Sequence, residues 1–61
     1  MSKEFKEGDR VTAPYDRDGT GQLKSGKIQD VLSVMYFIHF DDGTEDFYYK
    51  VDANVRKENN D

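Results

Sequence analysis

Apolar residues in this chain come in short runs broken by charged and turn-forming residues, and no segment keeps helical spacing over even three turns. Between Asp9 and Tyr15, Val11 and Ala13 alternate with polar neighbours, which predicts a strand leaving a turn at Gly8-Asp9. Pro14 offers no ladder donor, so that strand is expected to lie at an edge or to bend there. Asp16 to Gly21 reads as a loop, with Asp18-Gly19 as its turn signal. Leu23 to Leu32 predicts a second strand, with apolar contacts from Ile28, Val31 and Leu32. Gly26 in its middle is expected to mark a bulge or sharp bend. The run Val34 to Phe40 is the strongest strand signal. Apolar on both parities, it predicts a central strand covered on both faces. Asp41-Asp42-Gly43-Thr44 then predicts a tight hairpin into an aromatic-rich strand from Glu45 to Val51. Asp52-Ala53-Asn54 predicts one short 3-10 turn before a last strand at Val55-Arg56. Five short strands spaced by turn signals predict an all-β fold, a closed or nearly closed barrel.

Sixty-one residues leave room for one domain with a small core, because a chain of this length buries only about 60% of its unfolded surface. Residues 1–7 and 58–61 are polar and charged and are expected to be flexible tails around a domain at 8–57. No internal repeat or low-complexity tract is present. With no cysteine and no metal-ligand spacing, neither disulfides nor zinc are available as staples, and no cofactor is expected. Hydrophobic residues at 34% against charged residues at 36% border on the composition of disordered chains. Four Tyr and four Phe tip the balance toward folding, since each buries a large area.

No window approaches the roughly 18 apolar residues of a membrane span, and no apolar stretch follows the N-terminus. A soluble protein of the nucleus or cytoplasm is therefore expected, without a membrane partner. Thirteen acidic residues against nine basic ones give a net charge of -4, which repels a phosphate backbone and favours cationic partners. Nucleic-acid binding, drawing on Arg10, Lys24, Lys27, Lys50, Arg56 and Lys57, is accordingly the weakest of the binding readings. An enzyme is weaker still. His39 is the only histidine, expected to face outward, and it has no nucleophile or paired carboxylate in support.

Most aromatics in so small a domain belong to the core, and Val11, Tyr36 and Ile38 are assigned there. Phe47-Tyr48-Tyr49 stands apart, because side chains alternate along a strand and three consecutive rings cannot all face inward. At least one ring is expected on the surface, either under a lysine stem or covered by a partner protein or a second copy of the chain.

Five elements taken in order resemble a family. They are Gly8-Asp9-Arg10-Val11-Thr12-Ala13-Pro14-Tyr15, Asp18-Gly19, Ser25-Gly26-Lys27-Ile28, Tyr36-Phe37-Ile38-His39-Phe40-Asp41-Asp42-Gly43 and Asn54-Val55-Arg56. Together they look like the Tudor pattern of the SH3-like barrel class over essentially the whole folded region. Chromo barrels and bacterial SH3-like modules stand as neighbouring alternatives. The resemblance implies a five-stranded Tudor-type barrel and a non-catalytic module that holds a methylated Lys or Arg side chain, as on histone tails in chromatin, in a cage of aromatic faces. A carboxylate at the rim of such a cage favours lower methylation states by accepting an N–H hydrogen bond.

Carried over residue by residue, Tyr15 and Phe40 match cage aromatics and Asp42 matches the acidic rim residue. The family has aromatics where this chain has Lys24 and Thr44, so two rings are missing. A lysine at position 24 is expected to set a cation beside the site and oppose a second one, while Phe47, placed at the rim, or its neighbours Tyr48 and Tyr49 are candidates to supply a ring from the next strand. Phe40 reads equally as core or cage, and Asp42 reads as a turn former as well as a rim residue. The expected partner is a basic protein or peptide, methylated or not. The alternative is a structural module with a decayed cage that self-associates, as a homodimer, through the Phe47–Tyr49 strand.

Overall fold

The computed structural model describes residues 4–17 and 19–58. Asp18, one half of the expected Asp18-Gly19 turn signal, and most of the expected tails fall outside them. Five strands form one antiparallel sheet: β1 (Arg10–Tyr15), β2 (Gln22–Val31), β3 (Met35–Phe40), β4 (Glu45–Tyr49) and β5 (Arg56–Lys57), in the order β4-β3-β2-β1-β5. Among the described residues there is no helix, and hence none long and apolar enough to cross a membrane.

Alternation decides which face each strand buries. Val11 and Ala13 on β1, Ile28 on β2, and Tyr36, Ile38 and Phe40 on β3 are fully or almost fully removed from solvent, joined by Tyr48 and Val55. These side chains share one face of the sheet, and the sheet rolls around them. In a flat sheet β4 would lie roughly 14 Å from β1, beyond the reach of a tyrosine. Yet the Tyr48 hydroxyl donates a hydrogen bond to the Pro14 carbonyl at 2.7 Å. The rolled sheet stays open, because no ladder joins β4 to β5 among the described residues.

The strand boundaries fall within two residues of those expected from the sequence, with several corrections. β3 is central, but only its inner face is fully covered. Met35, Phe37 and His39 on the outer face are half-buried, because the described residues form a single sheet with no second layer over this face. The β-bulge expected near Gly26 lies at Gln29, where the pairing of β2 with β3 slips between Ile28 and Asp30. Gly26 is instead a point of close approach. A Cβ there would lie 2.6 Å from the His39 carbonyl oxygen and 2.8 Å from the Phe40 Cα, so only a residue without a side chain lets β2 pass β3 at this spacing.

Pro14 faces no second partner strand, because β5 pairs only with Val11 and Thr12. The expected 3-10 turn is a hydrogen-bonded turn without helical structure. The Val55 N–H donates to the Asp52 carbonyl at 3.3 Å, while the Asp52 carboxylate takes the Asn54 N–H at 2.9 Å. β5 then begins one residue later than expected, at Arg56, and Val55 is buried.

The chain ahead of residue 8, expected as a tail, contributes to the core. Phe5 is 7% exposed, meets the Tyr36 ring edge-on at 5.7 Å, and donates its N–H to the Tyr36 hydroxyl at 2.9 Å. One aromatic in a polar segment is a weak sequence signal, but its ring joins the core cluster. At the other terminus Glu58 accepts a hydrogen bond from Arg10 Nε at 2.9 Å, and its own N–H returns one to the Arg10 carbonyl at 3.1 Å.

Candidate functional site

The candidate site is built at one end of the rolled sheet by inward-facing positions of four strands and the β3–β4 hairpin. Tyr15 ends β1, Lys24 follows the first residues of β2, Phe40 ends β3, and Tyr48 comes from β4. The hairpin closes through a Gly43 N–H bond to the Phe40 carbonyl at 3.0 Å and a Phe40 N–H bond to the Thr44 carbonyl at 2.7 Å. Gly43 sits at φ +94°, a left-handed conformation that glycine adopts without strain. This turn fixes Asp42, whose Oδ1 accepts from the Thr44 N–H at 3.0 Å and from the Thr44 hydroxyl at 2.6 Å. Asp42 is thus a turn former, and its second oxygen remains for other work.

That oxygen meets Lys24. The Lys24 ammonium lies 2.6 Å from Asp42 Oδ2, 3.4 Å from Thr44 Oγ1 and 4.0 Å from the centroid of the Tyr15 ring. A cation over the negative face of a ring, with a carboxylate in hydrogen-bond contact, is the arrangement by which proteins hold ammonium groups. The site fills it with the chain's own lysine. The side chain of Lys24 is only 14% exposed. On β2, Lys24 pairs across from Ala13, whose small side chain leaves room on the inner face for the lysine stem. The Lys24 ammonium, followed by the two Thr44 hydrogen bonds, holds the Asp42 carboxyl far below the usual carboxylate range.

The rings themselves form a chain of edge-to-face contacts. Tyr15 meets Phe40 at 5.7 Å and 78°, and Phe40 meets Tyr48 at 6.1 Å and 85°. Phe40 is completely buried, so its ring is a core residue that backs the site. Tyr48 is one of the three consecutive rings from which the sequence left the choice open, and alternation contains the signal that selects it. In the β3–β4 ladder Tyr36 pairs with Tyr48 and Phe37 with Phe47, so the face that buries Tyr36 must also receive Tyr48. Burial, followed by the Asp46 and Asp16 charges, pushes the Tyr48 phenol up to about 12.

Of the six residues named from the sequence, the structure therefore brings five together: Tyr15, Lys24, Phe40, Asp42 and Thr44. Phe47 is the exception. It points to the opposite face of the sheet and stacks on Phe37 at 4.7 Å, so it supplies no ring to the rim. With Tyr49 it stays open to solvent, at 48% and 60% exposure respectively. The free edge of β4 is partly closed by local hydrogen bonds. The Asp46 carboxylate takes the Phe47 N–H at 2.8 Å, and the Tyr49 carbonyl takes the Asp52 N–H at 3.0 Å.

On the outer face Arg10 clamps the molecule from β1. Its guanidinium bonds both Asp41 oxygens, at 2.8 and 2.6 Å, and also Glu58. These bonds hold the Asp41 and Glu58 carboxyls below their ordinary values. The hairpin that carries Asp42 is thereby tied to β1, which carries Tyr15. His39 faces outward as expected, with Nδ1 2.9 Å from a Glu45 carboxylate oxygen.

Set against known proteins, the chain matches no family model, no curated protein and no solved structure.

Proposed function

We propose that this protein is a non-catalytic, Tudor-like binding module of the SH3-like barrel class that recognises a cationic side chain of a partner protein at the rim formed by Tyr15, Asp42 and Thr44 over Phe40. One observation carries the reading: an ammonium already rests on the Tyr15 ring and on the Asp42 carboxylate, at 4.0 and 2.6 Å. The strand order and the rolled, glycine-punctuated sheet are consistent with that class, and a chain with a net charge of -4 favours a basic partner. A single ring face with a carboxylate beside it suits an ammonium that keeps an N–H, such as unmodified, monomethyl or dimethyl lysine, over a quaternary one.

Titration of the isotopically labelled protein with basic peptides bearing lysine in each methylation state tests this. Amide shifts should cluster at Tyr15, Lys24, Asp42 and Thr44. Shifts scattered over the surface, or none at millimolar peptide, would defeat the proposal.

The outward Phe37–Phe47 stack favours a second reading, self-association through the outer face of β3 and β4. Because the edge of β4 is blunted by Asp46 and Asp52, the contact would be made by the face rather than by strand addition. Light scattering at rising concentration should then report a dimer that Phe47→Ser abolishes without unfolding the monomer. A monomeric mass throughout would exclude it.

A further inference from the structure

The rim is not an empty receptor, because Lys24 occupies it. We infer that Lys24 is a resident competitor: an external cationic side chain enters the rim by displacing the Lys24 ammonium, so this lysine sets the affinity of the site. The inference rests on the cation-binding reading above.

Three observations support displacement over simple addition. The Lys24 ammonium already uses the ring face of Tyr15, one oxygen of Asp42 and the hydroxyl of Thr44, so a second ammonium finds the same partners taken. Oδ1 of Asp42 already accepts two hydrogen bonds from Thr44, so the oxygen a newcomer would need is Oδ2, the one that Lys24 holds. Phe40 and Tyr48 behind the site are packed into the core, and the Tyr48 hydroxyl is bonded to Pro14, so neither of these two rings turns a face toward a newcomer. Departure of the ammonium requires no change of strand pairing. The Lys24 backbone stays in the β1–β2 ladder opposite Ala13, and rotation about its four side-chain bonds carries the ammonium into solvent.

A tethered ligand competes at a high effective concentration, and the apparent affinity for any outside ligand falls by the fraction of molecules in which the site is open. Removing the tethered ammonium should therefore tighten external binding, not weaken it, although the substitution deletes a residue of the site. A decayed or merely structural rim would show the reverse, loss of stability with no gain of binding.

The test titrates a dimethyl-lysine peptide into the wild-type protein, Lys24→Ala and Lys24→Met, following amide shifts and, in the wild type, the Lys24 ε-methylene protons. Those protons should begin upfield, shielded by the Tyr15 ring, and return to ordinary lysine values as peptide binds. Lys24→Ala should bind about tenfold tighter or better. Lys24→Met keeps the stem without the charge and serves if the alanine variant fails to fold. Equal affinity of wild type and folded variants, or peptide binding that leaves the Lys24 protons shielded, would overturn displacement while leaving the cation-binding reading intact. Absence of binding by the wild type and by a folded variant alike would overturn both.

Discussion

Tyr48 joins the core, the site and the far side of the sheet through one side chain. Its ring meets Phe40 and its hydroxyl donates to the Pro14 carbonyl. Only the neutral phenol can donate that bond, and the folded protein raises its pKa from the ordinary value to about 12. A group whose pKa is raised on folding stabilises the fold fully below its unfolded value, and that stability is lost as pH rises through the folded value. The protein should therefore lose stability between about pH 10 and the folded value of about 12. Tyr48→Phe should remove this alkaline sensitivity and cost about 1 kcal/mol at neutral pH for the lost hydrogen bond. Phenolate absorbance recorded beside circular dichroism along an alkaline titration checks both statements.

Gly26 is the other residue on which a single atom decides the outcome. An added Cβ meets backbone atoms of His39 and Phe40, which cannot rotate away as a side chain can. Gly26→Ala should accordingly destabilise the domain by about 2 kcal/mol or more, in line with overpacking penalties. Chemical denaturation should show a lowered midpoint, and a midpoint within error of the wild type would contradict the close approach.

Among the elements, the β3–β4 hairpin carries most of the consequence. Its ladder sets Tyr36, Ile38 and Tyr48 inward and Phe37, Phe47 and Tyr49 outward, so a one-residue slip would exchange the core for the apolar outer face. The turn holds the register with Gly43 at positive φ and with Asp42 tied to Thr44. The same turn presents Asp42 to Lys24, which makes the register device and the candidate binding site one structure. Arg10 fixes this hairpin against β1 from outside.

For the molecule as a whole, the first expectation concerns the chain ahead of β1. Phe5 packs into the core against Tyr36, and Phe5→Ala should cost about 3 kcal/mol. Domains of this size have little stability to spare. A large drop in the melting temperature is expected, and an unchanged one would return the segment to the status of a tail. The second concerns acid. Asp41, Asp42 and Glu58 all have carboxyls held below their ordinary values, chiefly by Arg10, Lys24 and Arg10 respectively. Depressed values stabilise the fold above the unfolded pKa and are lost as pH falls through the folded one. Melting temperatures should thus hold near neutrality and fall below about pH 4, less steeply in an Arg10→Met, Lys24→Met double variant that lacks both cations.

The all-β class, the number and near-boundaries of the strands and the Asp-Asp-Gly hairpin are legible along the chain. These rest on local rules of alternation, turn chemistry and backbone freedom at glycine, which act between neighbours in the chain. Strand pairing and packing had to place Phe5 in the core, make Gly26 a close approach instead of the bulge, turn Tyr48 among the three consecutive rings toward the site, and roll the sheet without closing it. Those outcomes depend on strand pairing and on the packing of residues far apart in sequence. The occupant of the rim was decided there too. Lys24 and Asp42 stand 18 positions apart in the chain, and what makes them partners is the folding of β2 against the hairpin, which brings one ammonium within reach of one carboxylate and one ring.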